Sequence, residues 1–427
     1  MAFVTSHPIQ YQVPVFRHLA TRDDLDFQVL FAMLPDAAAQ GAGFGVEFEW
    51  DLPLLEGYEY RVLDNRSENP SVTHFRGCDT PSVGDVLKEH RIDAVVVNGW
   101  VVKTCLQTLR ACKRLGIPCI VRGEANHLRP RAWWKRLLQR QLVRRYDAFL
   151  PIGSANRDFY RSYGIEDLRM FDARYCIENG RFERAAEAAV AERTDLRRQW
   201  GIGELETCFL FCGKFETKKH PLELVKAFEK ACQSRDRQDL MSRLGASPGS
   251  VASKPGLAPQ RLINAIDPAG ERSEQPRPMR LLMVGDGELR RECEQYATQR
   301  NLPVTFTGFL NQSEIVGAYV ASDCLVLPSD HGETWGLVVN EAFACGRPAI
   351  TSDQVGCTRD LIREGETGVS FPFGDWDRLA ACLVEFASEE TNLRAMGQSA
   401  KEWIQTYSPD AAAEGIARAA LHCLQRR

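Results

Sequence analysis

Short apolar runs alternate with stretches whose apolar residues recur at helical spacing, and the alternation holds in both halves of the chain. In the first half the runs predict strands at Ala2–Ser6, Asp26–Phe31, Ala94–Val97, Cys119–Arg122 and Phe149–Ile152. In the second they predict Cys208–Cys212, Leu281–Val284, Val304–Thr307, Cys324–Leu327 and Ala349–Thr351. A turn and a helical pattern follow each run, the order that builds parallel sheets with helices on both faces. His90 and Gly116 mark helix ends, and Gly153–Ser154 caps a helix over Ala155–Tyr163. The pattern therefore predicts an α/β chain of two doubly wound units, residues 1–176 and 177–407, with a linker near Cys176–Phe182. Ser408 and Pro409 then suit the N-cap and first position of an Ala-rich helix; residues 408–427 are expected to pack back toward the first unit.

One interval breaks the alternation. Residues 234–278 hold six of the 21 prolines among Ser, Arg, Gly and Gln, and they predict a disordered insertion between the helix Leu222–Ala231 and the next strand. Such a loop is tolerable, because each doubling of its length costs only about 0.6 kcal/mol. Size agrees with two cores: 427 residues, 44% of them hydrophobic. A net charge of −4 speaks against a general nucleic-acid binder. No apolar run reaches the roughly 18–20 residues that span a bilayer. Fourteen cysteines without a CxxC pair predict a reduced, cytoplasmic chain with no structural zinc.

The richest chemistry lies in Ser329–Pro348. Glu333 precedes a break at Trp335–Gly336, after which Leu337–Cys345 has helical spacing that ends at Gly346. A helix start offers unpaired backbone N–H groups and partial positive charge, which suit a diphosphate. Glu333 in the loop and Glu341 a turn into the helix can accept bonds from hydroxyls. Together these groups fit a nucleotide sugar, although two glutamates eight positions apart also arise by chance. Lys214 and Lys219 follow the strand Cys208–Cys212, where a parallel sheet binds ligands and where a solvated basic loop would read the same way. Gly285, Asp286 and Gly287 follow the next strand and allow close backbone approach to a ligand, or form a plain turn. Gly308–Phe309–Leu310 could present backbone to a nucleobase edge, whereas Ser352–Asp353 reads better as a turn or cap.

With these residues in hand, Gly213–Lys219, Gly285–Leu289 and Pro328–Ile350 resemble the donor half of family 4 glycosyltransferases (glycosyl transferases group 1), retaining enzymes of the two-Rossmann GT-B fold. Glu333 and Glu341 match the family's paired glutamates, and Val355–Gly356, Asp360 and Gly365–Gly368 match its later turns. The likeness is good over Ile177–Tyr407 and loose before it. It implies an N-terminal acceptor domain and a C-terminal nucleotide-sugar domain facing each other across a cleft. Glu333 would hold donor-sugar hydroxyls and Glu341 the ribose. Lys214, Lys219 and the backbone amides of Trp335, Gly336, Leu337 and Val338 would take the diphosphate. His127 matches a family histidine that touches donor sugar or acceptor, with a non-catalytic loop histidine as the competing reading. Glu124, His7 and Asn98–Gly99–Trp100 are further cleft candidates. Two departures stand out: Lys214 replaces a frequent Arg, and Ser6–Tyr11 replaces a Gly-Gly turn. So little chain precedes the first strand that the first sheet is expected to be less complete than in related proteins, unless the start codon is misassigned.

The expected activity is metal-independent, retaining, hexosyltransferase-type transfer without a cofactor. The donor would be a UDP-, GDP- or ADP-linked sugar, and the acceptor a glycan, a lipid-linked glycan or a small molecule, in cell-surface polysaccharide or glycoconjugate synthesis. An epimerase or a pyridoxal-dependent phosphorylase on this fold, or an inert GT-B glycan- or partner-binding protein, are the rival readings. Leu128–Tyr146 adds seven basic residues and an apolar repeat including Trp134, Leu137, Leu138 and Leu142. It reads either as a helix resting on anionic membrane at its inner face, or as a surface helix packing its stripe on the sheet.

Overall fold

The computed structural model describes all residues except 38–39, 41–46, 244–276, 389 and 427. Twelve strands among these residues form two six-stranded sheets, and every pairing in both is parallel. The first contains β1 (Ala2–Thr5), β2 (Gln28–Phe31), β3 (Glu59–Val62), β4 (Val95–Asn98), β5 (Cys119–Arg122) and β6 (Ala148–Leu150). The second contains β7 (Thr207–Cys212), β8 (Met279–Val284), β9 (Val304–Gly308), β10 (Cys324–Leu327), β11 (Ala349–Ser352) and β12 (Gly368–Phe371). Their orders, β3-β2-β1-β4-β5-β6 and β12-β11-β10-β7-β8-β9, are one topology used twice. Strand order reverses between β1 and β4 and between β7 and β10, and in such sheets the ligand crevice opens at that reversal.

Helices on both faces explain the unbroken apolar strands. All six residues of β7 are buried, as are all four of β10. The last helix, Pro409–Gln425, crosses back to the first sheet: Ala412, Ala413, Ile416, Ala417 and Ala420 share a core with Phe3, Phe16, Val29 and Leu150. Ser408 caps this helix by accepting from the Ala411 amide at 3.1 Å. A Cβ at Gly415 would lie 1.8 Å from the Asp172 carbonyl oxygen, so the alanine-rich face sits directly on backbone.

All ten expected strands are present, and the first sheet has as many strands as the second. The pattern gave no sign of β3 and β12, and both are edge strands. Every residue of β3 is exposed, so no buried face imposes alternation on its sequence. Residues 234–243, expected in the insertion, instead continue the helix Pro221–Arg243. That stretch has lost apolar spacing, but it contains no Gly or Pro to stop a helix. Of the expected insertion, residues 244–276 lie outside the described residues.

Candidate functional site

The loops that leave β7 and β10 at the second reversal point carry the charged groups. Lys219 ends a one-turn helix, Thr217–Lys219, and its ammonium forms an ion pair with the Glu333 carboxylate from the loop after β10. Both side chains are nearly buried, at 11% and 14% exposure. Burial alone would push the Lys219 pKa down, but the adjacent Glu333 carboxylate outweighs it and the pKa rises. Lys219 is therefore charged at neutral pH. Lys214 lies earlier in the same loop, and burial lowers its pKa, against Glu216 and with the help of Lys218 and Lys219. It lines a cavity of about 700 Å³ with His7, Gln10, Tyr11 and Trp50 from the first sheet's side.

Gly336 forms the sharp entry to the helix Leu337–Ala344, with φ +101°. A Cβ there would meet Leu327 at 2.9 Å and Val355 at 3.0 Å, so packing as well as backbone conformation demands glycine. The N–H groups of Leu337 and Val338 begin the first turn, where amides have no intrahelical acceptor. Glu341 sits one turn inside and is 2% exposed. Its Oε1 accepts from the Tyr11 hydroxyl at 3.0 Å and its Oε2 from the Tyr319 hydroxyl at 2.6 Å. Burial raises the Glu341 pKa, and the two tyrosine bonds hold that rise back. Trp335 is 3% exposed, donates its indole N–H to Asn340 Oδ1 at 2.9 Å, and packs against Tyr175 and Tyr407. Its side chain is part of the core, which leaves only its backbone for a ligand.

The glycine turn after β8 packs against neighbouring backbone. Gly285 (φ +124°) and Gly287 (φ +146°) do allow close approach, but to neighbouring backbone. A Cβ on Gly285 would fall 2.0 Å from Gly213 O, and one on Gly287 2.9 Å from Phe215 N. Asp286 holds the turn, accepting from the Gly287 amide at 2.8 Å and from Arg290 at 2.5 Å. Gly213 N→Val284 O, Phe215 N→Asp286 O and Gly285 N→Gly308 O bonds then knit the ends of β7, β8 and β9 into one floor. At the end of β9, the ring of Phe309 meets Phe48 at 4.2 Å and Trp50 at 6.4 Å.

Phe48 and Trp50 come from the first sheet's side, as do several other cross-cleft contacts. Asn311 donates to Glu49 O at 2.8 Å, and the Ser313 amide and hydroxyl both donate to Asp51. Glu124 Oε1 accepts from Tyr175 at 2.6 Å and its Oε2 from Thr334 at 2.7 Å, while Asn126 donates to Thr334 O at 3.4 Å. Ser154 donates its amide and hydroxyl to Asp360 at 2.8–3.1 Å. His127, in the same loop as Glu124, turns elsewhere. Its Nε2 bonds Ser162 Oγ at 2.6 Å and its ring packs on Phe159 and Tyr163 of its own half. His7 bonds Ser6 through Nδ1 at 2.8 Å, and burial lowers its pKa to about 4.

The fold thus brings together Lys214, Lys219, Glu333, Glu341 and the helix start, leaves His127 among the aromatics of its own half, and adds partners that the strand pattern did not single out. Tyr11, Tyr319, Thr334 and Asn126 had no spacing or composition signal. Position alone, at the ends of β1, β5 and β10, could have nominated all but Tyr319.

A family model described as glycosyl transferases group 1 matches residues 259–403. The sulfoquinovosyl transferase SQD2 of Arabidopsis thaliana is 33% identical over 140 residues, 32% of this chain and 27% of that protein. N-acetyl-alpha-D-glucosaminyl L-malate synthase of Bacillus anthracis is 26% identical over 212 residues, 49% of this chain and 44% of that protein. The chain therefore spans less than half the length of either relative. Among solved structures, Anabaena Alr3699/HepE in complex with UDP and glucose superposes with a TM-score of 0.65 at 14% identity, over 98% of both chains. Sucrose-phosphate synthase from Thermosynechococcus elongatus gives 0.63 at 15% identity, over 100% of this chain and 99% of that one. At such identities the likeness is one of fold.

Proposed function

We propose that this chain, which has the GT-B fold, is a glycosyltransferase of the family 4 type and transfers a sugar from a nucleotide diphosphate donor to a hydroxyl acceptor with retention at the anomeric carbon. One observation carries the reading: the Lys219–Glu333 pair and buried Glu341 gather beside the Gly336 helix start at the strand-order reversal. Among solved structures of the same fold, Alr3699/HepE is in complex with UDP and glucose, which supports a nucleotide-sugar donor. The acceptor is a glycan, lipid-linked glycan or small molecule, as in cell-surface polysaccharide or glycoconjugate synthesis.

The donor diphosphate would lie on the amides of Leu337 and Val338, with Lys214 and Lys219 neutralising it. The Lys219 ammonium has three N–H donors, so it can bind Glu333 and phosphate together. Glu333 would accept from sugar hydroxyls. Glu341 has about four lone-pair sites, two of them used by Tyr11 and Tyr319, which leaves room for ribose hydroxyls. In the transfer, the acceptor oxygen bonds to the anomeric carbon on the face from which the C–O bond to phosphate breaks. Its proton passes to the departing phosphate oxygen. Lys214, Lys219 and the helix start hold the charge that develops on the leaving group, each contact contributing roughly 2.7–4 kcal/mol to the transition state. The two halves closing on the cleft would exclude water from the reacting carbon.

A thermal-shift screen against UDP-, GDP- and ADP-sugars tests the donor, since a ligand at a hundred times its Kd stabilises by about 2.7 kcal/mol. Lys219→Ala and Glu341→Gln are each expected to abolish transfer while circular dichroism stays unchanged. Near-wild-type turnover in either variant would sink the proposed site. Because positive protein groups carry the leaving group, activity is expected to survive EDTA.

A further inference from the structure

We propose that the helix Trp133–Val143 is a docking surface for an anionic lipid bilayer. Its inner side is narrow: Val143 is buried, Leu142 packs partly on the core, and Gln139 accepts from Tyr163 at 3.1 Å. The opposite side carries four large apolar groups in water. Trp133, Trp134, Leu137 and Leu138 are 74%, 49%, 50% and 61% exposed, and their i, i+4 spacing places them on one face. Packing the helical repeat on the sheet, the competing reading of the sequence, therefore describes only the end of this helix.

Charge selects the occupant. Residues 128–146 contain seven Arg or Lys and no Asp or Glu. Arg131 and Arg144 are held by backbone carbonyls of Asn126 and Tyr163. Among the described residues, no carboxylate forms an ion pair with the exposed Arg129, Lys135, Arg136, Arg140 or Arg145. Lys135 instead lies over the Trp134 ring, 5.3 Å from its centroid. Indoles and leucines flanked by unneutralised cations match the boundary between acyl chains and anionic headgroups. An acidic protein would answer the charges but would leave two tryptophans and two leucines to find an apolar pocket of their own. The loop feeding this helix begins at the cleft, where Glu124 and Asn126 both contact Thr334. Docking would therefore bring the cleft close to the lipid surface.

The test is co-sedimentation of the full chain with phosphatidylcholine vesicles, with and without a third of phosphatidylglycerol, at physiological salt. The protein is expected to pellet with the anionic vesicles and to be released by high salt. Leu137→Ser with Leu138→Ser, and separately Arg136→Glu with Arg140→Glu, are each expected to weaken binding by at least about tenfold, since one basic group contributes about fivefold near such a surface. These side chains are exposed, so an unchanged melting temperature serves as the folding control. Absence of binding, equal binding to neutral vesicles, or indifference to both variants would overturn the proposal. So would a dimer of the free protein that Leu137→Ser with Leu138→Ser dissociates, because the face would then belong to a second copy. None of these outcomes depends on the donor site, whose own test is the thermal shift.

Discussion

At the scale of single residues, Tyr11 is the most consequential addition to the proposed donor site. It stands in the loop after β1, yet its hydroxyl reaches Glu341, the glutamate proposed to hold ribose, in the other half. A hydrogen bond to a charged group is worth about 1.5–3 kcal/mol. Tyr11→Phe is therefore expected to raise the donor Kd about tenfold, with a smaller effect on kcat, as measured by calorimetry beside steady-state kinetics. His7 gives a pH signature. With its pKa held near 4 against an ordinary 6.5, the unfolded chain binds a proton between those values that the folded chain does not. Its contribution to stability is thus complete above pH 6.5 and lost as pH falls toward 4. His7→Gln should lose less melting temperature than the wild type between pH 7 and pH 4.5, each pH value lying about half a unit above one of the group's two pKa values. Lys219 and Glu341 were legible in the sequence because they lie in strand-end loops and helix starts whose chemistry is local. Tyr319 was not, because nothing in its own helix indicates the carboxylate that it binds.

At the scale of elements, two glycines reverse what local rules would give. Gly→Ala inside a helix ordinarily stabilises by up to about 1 kcal/mol. Gly415 lies inside Pro409–Gln425, but a Cβ there would fall 1.8 Å from Asp172 O. Gly415→Ala is expected to destabilise by about 1–3 kcal/mol, read from urea unfolding, because the helix must lift off the first sheet's core. A stabilised variant would show that the helix is not seated there. Gly285 works by the same principle in a turn: its φ and its approach to Gly213 O exclude a side chain whether or not a ligand binds. That is why the sequence could identify the turn after β8, while the structure alone shows the backbone that its glycines lie against. Edge strands escaped for a different reason. β3 has no buried face, so it carries no alternation to detect.

At the scale of the whole molecule, the two halves meet through Tyr11–Glu341, Glu124–Thr334, Ser154–Asp360 and the Asp51–Ser313 contact. Weakening the edge of this set while sparing the donor residues should loosen closure. Asp51→Ala is expected to raise the radius of gyration in solution scattering and to raise the acceptor KM more than the donor KM, and an unchanged profile would show that this contact does not govern the cleft. The sequence by itself determined the two parallel units, ten of their twelve strands, and the loops that hold Lys214, Lys219, Glu333 and Glu341. These follow from period, turn residues and helix ends, all set within a few neighbours along the chain. Only the tertiary structure decided that Lys219 pairs with Glu333, that tyrosines from both halves hold Glu341, that His127 turns into its own half, and that the face of Trp133–Val143 stays in water. Each of those depends on which side chain from a distant segment fills the space, and the periodicity of one segment carries no information about the surface that faces it.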